Sequence, residues 1–322
     1  MSDATHATQP LRTAVIGVGY LGRFHAQKYA QIAGSKLVAV VDANAEACAK
    51  VAAELGTQAI SDYRELIGKV DAVSVAVPTP LHHKIGCDLL KQGIDVLIEK
   101  PIATTVEEAR ELVDLARIHR RILQVGHLER FNPAVLAAAA RLHTPRFVES
   151  HRLAPFKQRG TDVSVVLDLM IHDIDLIQEL VGTPIESIDA VGATVFSGEI
   201  DIVNARLRFQ GGCVANTTAS RISLKQERKI RIFQDDAYLS VDMQQKILTV
   251  IRKKEGEAPV ESPAQVSIEE QSFDQGDALL AEIEAFLKAV RERSTPVVTG
   301  EDGLRALETA MKITALVQPE AS

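Results

Sequence analysis

The sequence has few cysteines, no excess of positive charge and no long apolar run, and each absence excludes a class of protein. Cys48, Cys87 and Cys213 are odd in number, far apart and without a CxxC spacing, so neither a disulfide framework nor a zinc cluster is predicted. The net charge of −7 argues against binding to a nucleic-acid backbone. No apolar run approaches the ~18–20 residues of a membrane span, and the polar first ten residues lack a signal-peptide core. We therefore expect a cytoplasmic protein with no nucleic-acid partner and no membrane partner.

The composition is that of an ordinary globular protein, with 46% apolar and 25% charged residues. The 322 residues are enough for two domains with their own cores. Up to residue 127, near-continuous Val/Ile/Ala runs alternate with helical segments, which predicts a parallel sheet covered on both faces. Beyond residue 132 the pattern becomes a helix over 165–181, then several alternating runs, a charged loop at 253–263 and two closing helices.

These patterns predict an α/β protein of two domains. Residues 1–127 form a doubly wound parallel (Rossmann) domain that binds a nucleotide cofactor. Residues 128–322 form an α+β domain built on a mainly antiparallel, open-faced sheet, which binds the substrate and mediates oligomerisation. Because such an open face is commonly covered by a neighbouring subunit, we expect a homodimer or homotetramer.

The stretch TAVIGVGYLGRFHA carries the clearest binding motif. Gly17, Gly19 and Gly22 have the GxGxxG spacing directly after an apolar run. The first glycine allows a tight turn, the second lets the backbone approach a pyrophosphate, and the third lets the following helix pack on the strand. That helix directs free N–H groups and the positive end of its dipole at the pyrophosphate. The motif alone also suits an ordinary strand-to-helix connection.

The next apolar run, LVAVVD, supports the cofactor interpretation. It ends in Asp42, twenty residues beyond Gly22, where a carboxylate can accept hydrogen bonds from the adenine-ribose diol. Ala43 and Asn44 follow, so no adjacent Arg or Lys can pair with a 2′-phosphate, and the Asp42 charge would repel one. The sequence therefore predicts NAD rather than NADP.

The fourth predicted strand ends in VAVPTPLHH, at the carboxyl edge of the sheet where ligands of doubly wound folds bind. Pro78 and Pro80 break the chain there, and a merely proline-stiffened loop is equally compatible with this pattern. His82 and His83 are adjacent and point to different sides, so no metal role is predicted for them.

The fifth predicted strand ends in Glu99, Lys100 and Pro101. A lysine at the end of a strand can simply be a solvated charge. Beside a nicotinamide it can instead be partly desolvated, which lowers a lysine pKa towards ~7–8 and suits proton transfer.

A second candidate constellation lies in VVLDLMIHDIDLI. Spacings of four and three place Asp168, His172 and Asp175 on one helical face, with Asp173 turned away. A pair on the helix surface is the simplest interpretation. However, the rest of this helix is apolar, and a polar stripe on a mostly buried helix needs partners. A histidine held by an aspartate beside a lysine could act as a general base or proton relay.

Taken together, GVGYLG, VPTPLH, EKP and DLMIHDIDL resemble the Gfo/Idh/MocA oxidoreductases over essentially the whole chain. The resemblance implies a Rossmann domain, a substrate domain on an antiparallel sheet, and Lys100, Asp168 and His172 as the catalytic set. The chain departs from the family pattern at two places. Residues 163–165 are Val-Ser-Val where a glycine pair is usual, and His127 stands where an asparagine is common.

The segments GHLERFNPAV and KQRGTDVSVVLDLMIHDIDL resemble one branch of that family, which acts on a sugar nucleotide. This implies oxidation of the 3-hydroxyl of UDP-N-acetylglucosamine to the 3-keto sugar nucleotide, towards the 3-amino sugars of lipid A. Two alternatives stay open: a dehydrogenase of a free polyol such as an inositol, and a dinucleotide-binding regulator without turnover. Lys157 and Arg159 could serve a diphosphate, which a polyol lacks, and a pure regulator has no need of the catalytic set.

The expected site residues fall into three sets. The catalytic residues are Lys100, His172 and Asp168. The cofactor contacts are Gly17, Gly19, Tyr20, Leu21, Gly22, Asp42, Pro78, Thr79, His82, Glu99, Lys100, Pro101 and His127. The substrate contacts are Lys100, Arg130, Lys157, Arg159, Asp168 and His172. No metal ligand is predicted.

Overall fold

The computed structural model describes residues 9–156, 164–254, 265–273 and 276–317. The chain divides into two compact units. The first comprises the chain up to His127 together with Leu279–Leu304, and the second comprises Leu128–Ala278 together with the chain from Arg305 onward. None of the helices within the described ranges is both long and apolar enough to span a membrane.

The first unit contains a six-stranded parallel sheet. Its strands are β1 (Leu11–Ile16), β2 (Ser35–Val41), β3 (Gln58–Ile60), β4 (Ala72–Val75), β5 (Asp95–Glu99) and β6 (Leu123–Gly126). They lie in the order β3-β2-β1-β4-β5-β6, and the connecting helices are α1 (Tyr20–Gln31), α2 (Ala45–Leu55), α3 (His82–Lys91) and α4 (Val106–Ile118). The central strands are buried along nearly their whole length because helices cover both faces. The predicted doubly wound sheet is confirmed.

Short polar signals set where these helices begin. The Asn44 side chain accepts a hydrogen bond from the Ala47 amide at the start of α2. At the start of α4, Thr105 and Glu108 form a reciprocal capping box. Both arrangements satisfy backbone N–H groups that the first helical turn leaves without partners.

The second unit is built on an eight-stranded sheet. Its strands are β7 (Phe147–Leu153), β8 (Ile185–Ala193), β9 (Ile202–Phe209), β10 (Val214–Ser220), β11 (Glu227–Phe233), β12 (Ala237–Asp242), β13 (Ile247–Lys253) and β14 (Val266–Ser272). The order is β14-β13-β12-β11-β7-β10-β9-β8, and only the β7/β10 pair is parallel within the described residues. Residues facing the core alternate with exposed ones, as in β9, where Val203, Ala205 and Leu207 are buried. The mainly antiparallel sheet is thus confirmed.

Helices α5 (Pro133–Ala139) and α6 (Ile171–Val181) belong to this second unit and contribute to its core. Strand β14 was not predicted. Its sequence VSIEEQS has only two apolar residues, and Ile268 is 70% exposed, so it is an edge strand held mainly by its ladder with β13. Lys253, the first residue of the predicted loop, ends β13, and the part of that loop from 255 on lies outside the described residues.

The two closing helices are not both in the second unit, whereas the sequence analysis placed both of them in the second domain. Helix α7 (Ala278–Glu292) packs with the first unit, because Phe286 and Val290 form a buried cluster with Ala72 and Leu97 of the parallel sheet. Helix α8 (Gly300–Val317) has its first residues, up to Leu304, in the first unit and the rest in the second. The apolar stripe of α7 was visible in the sequence, but the surface that it covers was not.

Candidate functional site

The glycine turn after β1 has the geometry that a phosphate-binding turn requires. Gly17 has a φ of 87°, in the left-handed region, and a Cβ there would lie 2.6 Å from the Ala76 carbonyl oxygen. A Cβ on Gly22 would collide with the Gly17 carbonyl oxygen, which enforces the close packing of α1 on the turn. A Cβ on Gly19 would have no described atom within 4 Å, so this residue presents bare backbone to an open space.

Asp42, directly after β2, is fixed by its own loop. The Val18 amide donates to Oδ2 at 2.7 Å, and the Asn44 amide donates to Oδ1 at 2.8 Å. These two bonds tie the carboxylate to the glycine turn and set its direction. An acid held in this way is pre-organised to accept hydrogen bonds from a ribose diol.

A cavity of about 350 Å³ opens between these elements within the first unit. Four of the predicted cofactor residues line it: Gly17, Gly19, Asp42 and Pro78. Its size, the bare glycine backbone and the held carboxylate fit the adenosine end of a dinucleotide. Tyr20, Leu21, Thr79, His82, Glu99, Lys100, Pro101 and His127, which were also predicted to contact the cofactor, do not line this cavity. Tyr20 is 78% exposed and packs edge-on against Phe24.

Residues that the sequence analysis missed complete the cavity wall, among them Ser61, Tyr63, Leu81 and Lys84. They follow β3 and β4, whose carboxyl ends lie at the same edge of the sheet as the glycine turn. Strand order was the available signal, because it places the loops after β3 and β4 on either side of that turn. The Tyr63 hydroxyl donates to Asp88 at 2.6 Å, and burial together with this bond raises the pKa of Tyr63 to about 12.

The His82 side chain connects two loops of the first unit. Its Nδ1 lies 2.9 Å from the Pro101 carbonyl oxygen and its Nε2 lies 2.8 Å from the Val77 carbonyl oxygen. Burial lowers the pKa of His82, against the effect of the two carbonyl groups, which raise it. Both ring nitrogens are occupied by backbone, so the imidazole joins the loop after β4 to the turn after β5. These contacts fix the imidazole, and the cofactor contact by His82 stays a prediction.

Lys100 follows directly on β5 and is half-buried, and the Lys100–Pro101 peptide bond is cis. The preceding Glu99 is paired in register with Gly126 on β6. A Cβ on Gly126 would lie 2.9 Å from the Glu99 carboxylate, so the glycine makes room for that side chain. His127, which comes next, is buried.

In the second unit the predicted helix at 165–181 begins with a π turn over Val166–Met170 and continues as α6. The Ile171 amide bonds to the Val166 carbonyl oxygen, which adds one residue to the turn. The single helical face predicted for Asp168, His172 and Asp175 assumed regular α spacing. In the structure Asp168 is exposed, His172 is half-buried and Asp175 is buried. π turns of this kind are frequent at functional sites.

The spacing turns Asp173 away from the face predicted for Asp168, His172 and Asp175, and the structure does not expose it to solvent. It is fully buried, and Arg152 on β7 donates to it from Nε at 3.1 Å and from Nη2 at 2.9 Å. Arg152 also donates to Glu129 at 3.1 Å. Burial of a carboxylate is costly without a charged partner, and Arg152 supplies that partner.

Arg130 was predicted to contact substrate, which stays a prediction, and in the structure it is buried and paired with acids. Its guanidinium donates to Asp175 at 2.7 and 2.9 Å and lies 2.8 Å from Glu179. Two carboxylates on α6 therefore hold Arg130 in place. The GHLER and HDIDL segments, which were quoted separately for the resemblance, are joined by these ion pairs. Periodicity could not show this, because Arg130 lies on a short 3₁₀-helical turn at Leu128–Phe131, apart from α6 in sequence.

Lys157 and Arg159, the remaining predicted substrate contacts, lie outside the described residues, as does Val163. Of the predicted catalytic residues, Lys100 belongs to the first unit, whereas Asp168 and His172 belong to the second.

Models of one protein family match both parts of the chain. The Gfo/Idh/MocA model described as an oxidoreductase family with an NAD-binding Rossmann fold matches residues 11–127, and that for the C-terminal alpha/beta domain of the same family matches residues 138–319. UDP-N-acetylglucosamine 3-dehydrogenase of Acidithiobacillus ferrooxidans is 40% identical over 309 residues, which cover 96% of this chain and 97% of the relative. A solved structure of that enzyme from the same organism has a TM-score of 0.89 at 39% identity and covers 95% of this chain and 97% of its own. The scyllo-inositol 2-dehydrogenase (NAD(+)) of Bacillus subtilis is 25% identical over 94% of this chain and 93% of the relative.

Proposed function

Because the chain belongs to the Gfo/Idh/MocA family of oxidoreductases, whose N-terminal domain is an NAD-binding Rossmann fold, we propose that it oxidises the 3-hydroxyl of UDP-N-acetylglucosamine. The product is the 3-keto sugar nucleotide, and NAD is the acceptor. The observation that carries the substrate assignment is the 40% identity, over 96% of the chain, to a relative with that activity in its name. Relatives named for inositols are more distant, as the 25% identity to the B. subtilis protein illustrates.

The residues of the first unit fit the cofactor. Gly17 and Gly19 expose backbone where a pyrophosphate approaches, and the fixed Asp42 carboxylate is set to accept from the ribose diol. NAD, when bound, would accept the hydride. The Asp42 charge disfavours a 2′-phosphate, and this supports NAD over NADP.

We assign the proton transfer to His172 and Lys100. His172, oriented by Asp168, accepts the proton of the 3-hydroxyl. The Lys100 ammonium donates a charge-assisted hydrogen bond to the developing alkoxide, which stabilises it as the carbon-bound hydrogen leaves. These roles rest on the family motif and on the residue chemistry.

The anchoring of α6 supports the assignment of His172. Asp173 is held by Arg152 on β7, and Asp175 is held by Arg130 on the turn before α5. Asp173 and Asp175 follow His172 by one and three residues, so ion pairs with two different elements fix the helix next to the imidazole. A catalytic group has to be held within a fraction of an ångström of its working position, and rigid support of this kind provides that.

The test is NADH formation, followed by absorbance, with a panel of candidate substrates. The panel contains UDP-N-acetylglucosamine, UDP-glucose, which lacks the acetamido group, and myo- and scyllo-inositol. We expect NADH with UDP-N-acetylglucosamine and little with the others. Turnover of an inositol alone would replace the proposal with a polyol dehydrogenase. Because slow NADH release can hide turnover, a single-turnover measurement at stoichiometric enzyme completes the panel, and no NADH there would indicate a non-catalytic regulator.

We further propose that the enzyme is a cytoplasmic homodimer or homotetramer that supplies a step towards the 3-amino sugars of lipid A. The face of the eight-stranded sheet opposite its core carries partly exposed side chains, for example Asn204, Arg206 and Thr218. Such a face supports an interface with a second copy. Light scattering of the purified protein measures the subunit number, and a monomer at all concentrations would contradict this proposal.

A further inference from the structure

A group of ionisable side chains lies in the first unit around Glu99, which the sequence predicted as a cofactor contact. Glu282 on α7 is only 1% exposed, and neither of its carboxyl oxygens has a hydrogen-bond partner in the described part of the chain. Glu99 at the end of β5 and His25 on α1 face it. One polar atom from each of these three side chains lies within 4.8 Å of the others.

Glu99 is held from two sides. His25 Nε2 lies 2.9 Å from Glu99 Oε1, and His25 Nδ1 lies 3.1 Å from the Ser74 hydroxyl, which in turn lies 2.8 Å from the Tyr29 hydroxyl. On the β6 side Gly126 leaves only enough space for the Glu99 carboxylate. This chain of contacts fixes one oxygen of Glu99 and the position of the whole group.

Two carboxylates this close in a buried site cannot both be charged without a cation to balance them. The titratable groups that face Glu282 are His25 and Tyr29 on α1 and Glu99 on β5. Burial, and then the charge of Glu99, raise the pKa of Glu282 well above its usual range. A neutral Glu282 places no second negative charge beside the Glu99 carboxylate, whereas an ionised Glu282 would repel it.

We propose that His25 and Glu282 are positioning residues of the dehydrogenase. His25 holds Glu99 by a hydrogen bond, and Glu282, as a neutral acid, fills the space beside Glu99 without repelling it, so that the point where β5 ends and Lys100 begins is fixed. Glu99 and Lys100 are consecutive, so a Glu99 side chain that is free to rotate would loosen the backbone that carries Lys100. Glu282 acts through Glu99 and does not touch the reacting atoms. This inference rests on the function proposed above, because that function gives Lys100 its role.

The first test compares three variants. Glu282→Gln keeps the size and a donor but carries no charge, whereas Glu282→Ala removes the group. Glu284→Gln changes an exposed acid on the same helix and is the matched control. With UDP-N-acetylglucosamine as substrate, we expect Glu282→Gln and Glu284→Gln to keep kcat within about threefold of the wild type. Loss of a group that orients a catalytic residue typically costs about 10–100-fold, so Glu282→Ala should lower kcat by that amount with little change in the Kd for NAD.

His25→Gln provides a second perturbation of Glu99 if Glu282→Ala folds poorly. We expect it to lower kcat like Glu282→Ala, again with nearly unchanged NAD binding. An equal loss of kcat in Glu282→Gln and Glu282→Ala would show that the charge of Glu282 is needed and would overturn the proposal. An unchanged kcat in both Glu282→Ala and His25→Gln would overturn it as well.

A measurement without substrate separates this inference from the proposed function. Infrared spectra of the wild type at pH 7 should contain the C=O stretching band of a protonated carboxylic acid, and Glu282→Gln should lack it while Glu284→Gln keeps it. Absence of that band would contradict a neutral Glu282. A stoichiometric divalent metal ion in the purified protein would also contradict it, since the ion would then balance the charge of the Glu99 and Glu282 carboxylates. If UDP-N-acetylglucosamine is not oxidised but the band is present, the proposed substrate is wrong, and the kinetic comparison is repeated with the compound that the substrate panel identifies.

Discussion

Arg130 donates two hydrogen bonds to Asp175, from Nε at 2.7 Å and from Nη2 at 2.9 Å, and the two side chains are only 5% and 2% exposed. The pair joins the turn at Leu128–Phe131 to α6, the helix that carries His172. Bidentate pairs of this kind have well-defined geometry. Because both charged groups are buried, each needs the opposite charge of the other to offset its loss of hydration.

The first prediction concerns the stability that this pair maintains. Asp175→Asn should lower the free energy of unfolding by about 3–5 kcal/mol, because it removes the buried carboxylate that pairs with the buried Arg130 charge and leaves the exposed Glu179 as its acidic partner in the described part of the chain. Urea unfolding without cofactor measures the loss. Asp114→Asn is the control, since Asp114 pairs with Arg117 at the surface and its removal should change stability little. Equal effects of the two substitutions would contradict a structural role for Arg130 and Asp175.

The second prediction concerns the choice of cofactor. Asp42→Ala should weaken NAD binding by roughly 10- to 100-fold, the equivalent of hydrogen bonds to a charged acceptor. NADP binding should change much less, because the same substitution also removes the charge that repels the 2′-phosphate of NADP. The ratio of the two dissociation constants should therefore move closer to one. Titrations of both cofactors provide the measurement. Glu46→Ala, an exposed acid at the start of α2, is the control, and parallel losses for NAD and NADP in Asp42→Ala would argue against the assigned role.

The third prediction concerns pH and Glu282. Its pKa is raised in the folded protein above the unfolded value of about 4.3, so the native state binds more protons than the unfolded state above that pH. The contribution of Glu282 to stability is therefore fully present below about pH 4.3 and is lost as pH rises towards the folded pKa, at up to ~1.4 kcal/mol per pH unit. Glu282→Gln should become more stable relative to the wild type as pH rises from 5 to 8. A difference that stays constant across this range, as expected for Glu284→Gln, would contradict the raised pKa.

The features that could be predicted from the sequence are those that local spacing encodes. The Val/Ile/Ala runs predicted the parallel sheet, and the alternating runs predicted the antiparallel one. The run LVAVVD predicted a second strand that ends in an acid twenty residues beyond Gly22, and Asp42 does follow β2 directly. In each of these cases the determining residues are near neighbours in sequence or follow a strict period.

The features that could not be predicted depend on long-range partners. The sequence could not show that Arg152 on β7 pairs with Asp173, or that Asp175 and Glu179 on α6 pair with Arg130. Helix α7 shows an apolar stripe without showing that Ala72 and Leu97 lie beneath it. The π turn before α6 changes which residues share a face without leaving a glycine or proline to mark it.

The last prediction concerns the chemistry itself, and it separates proton transfer from cofactor binding. Lys100→Ala and His172→Ala should each lower kcat by about 10²–10⁴-fold, the usual contribution of a general acid or base, with the Kd for NAD nearly unchanged. The double variant should lose much less than the product of the two effects, because both groups are assigned to one hydroxyl and its proton.

The controls and the third member of the set decide between this mechanism and a structural role. Lys91→Ala and His143→Ala alter exposed residues of the same types and should keep wild-type kinetics. Asp168→Asn should be milder than His172→Ala, because the role proposed for the exposed Asp168 is to orient the imidazole, but it should change the pH dependence of kcat. If His172→Ala keeps near-normal turnover while NAD binding collapses, His172 supports the fold and the cofactor site, and the proton has to be removed by another group.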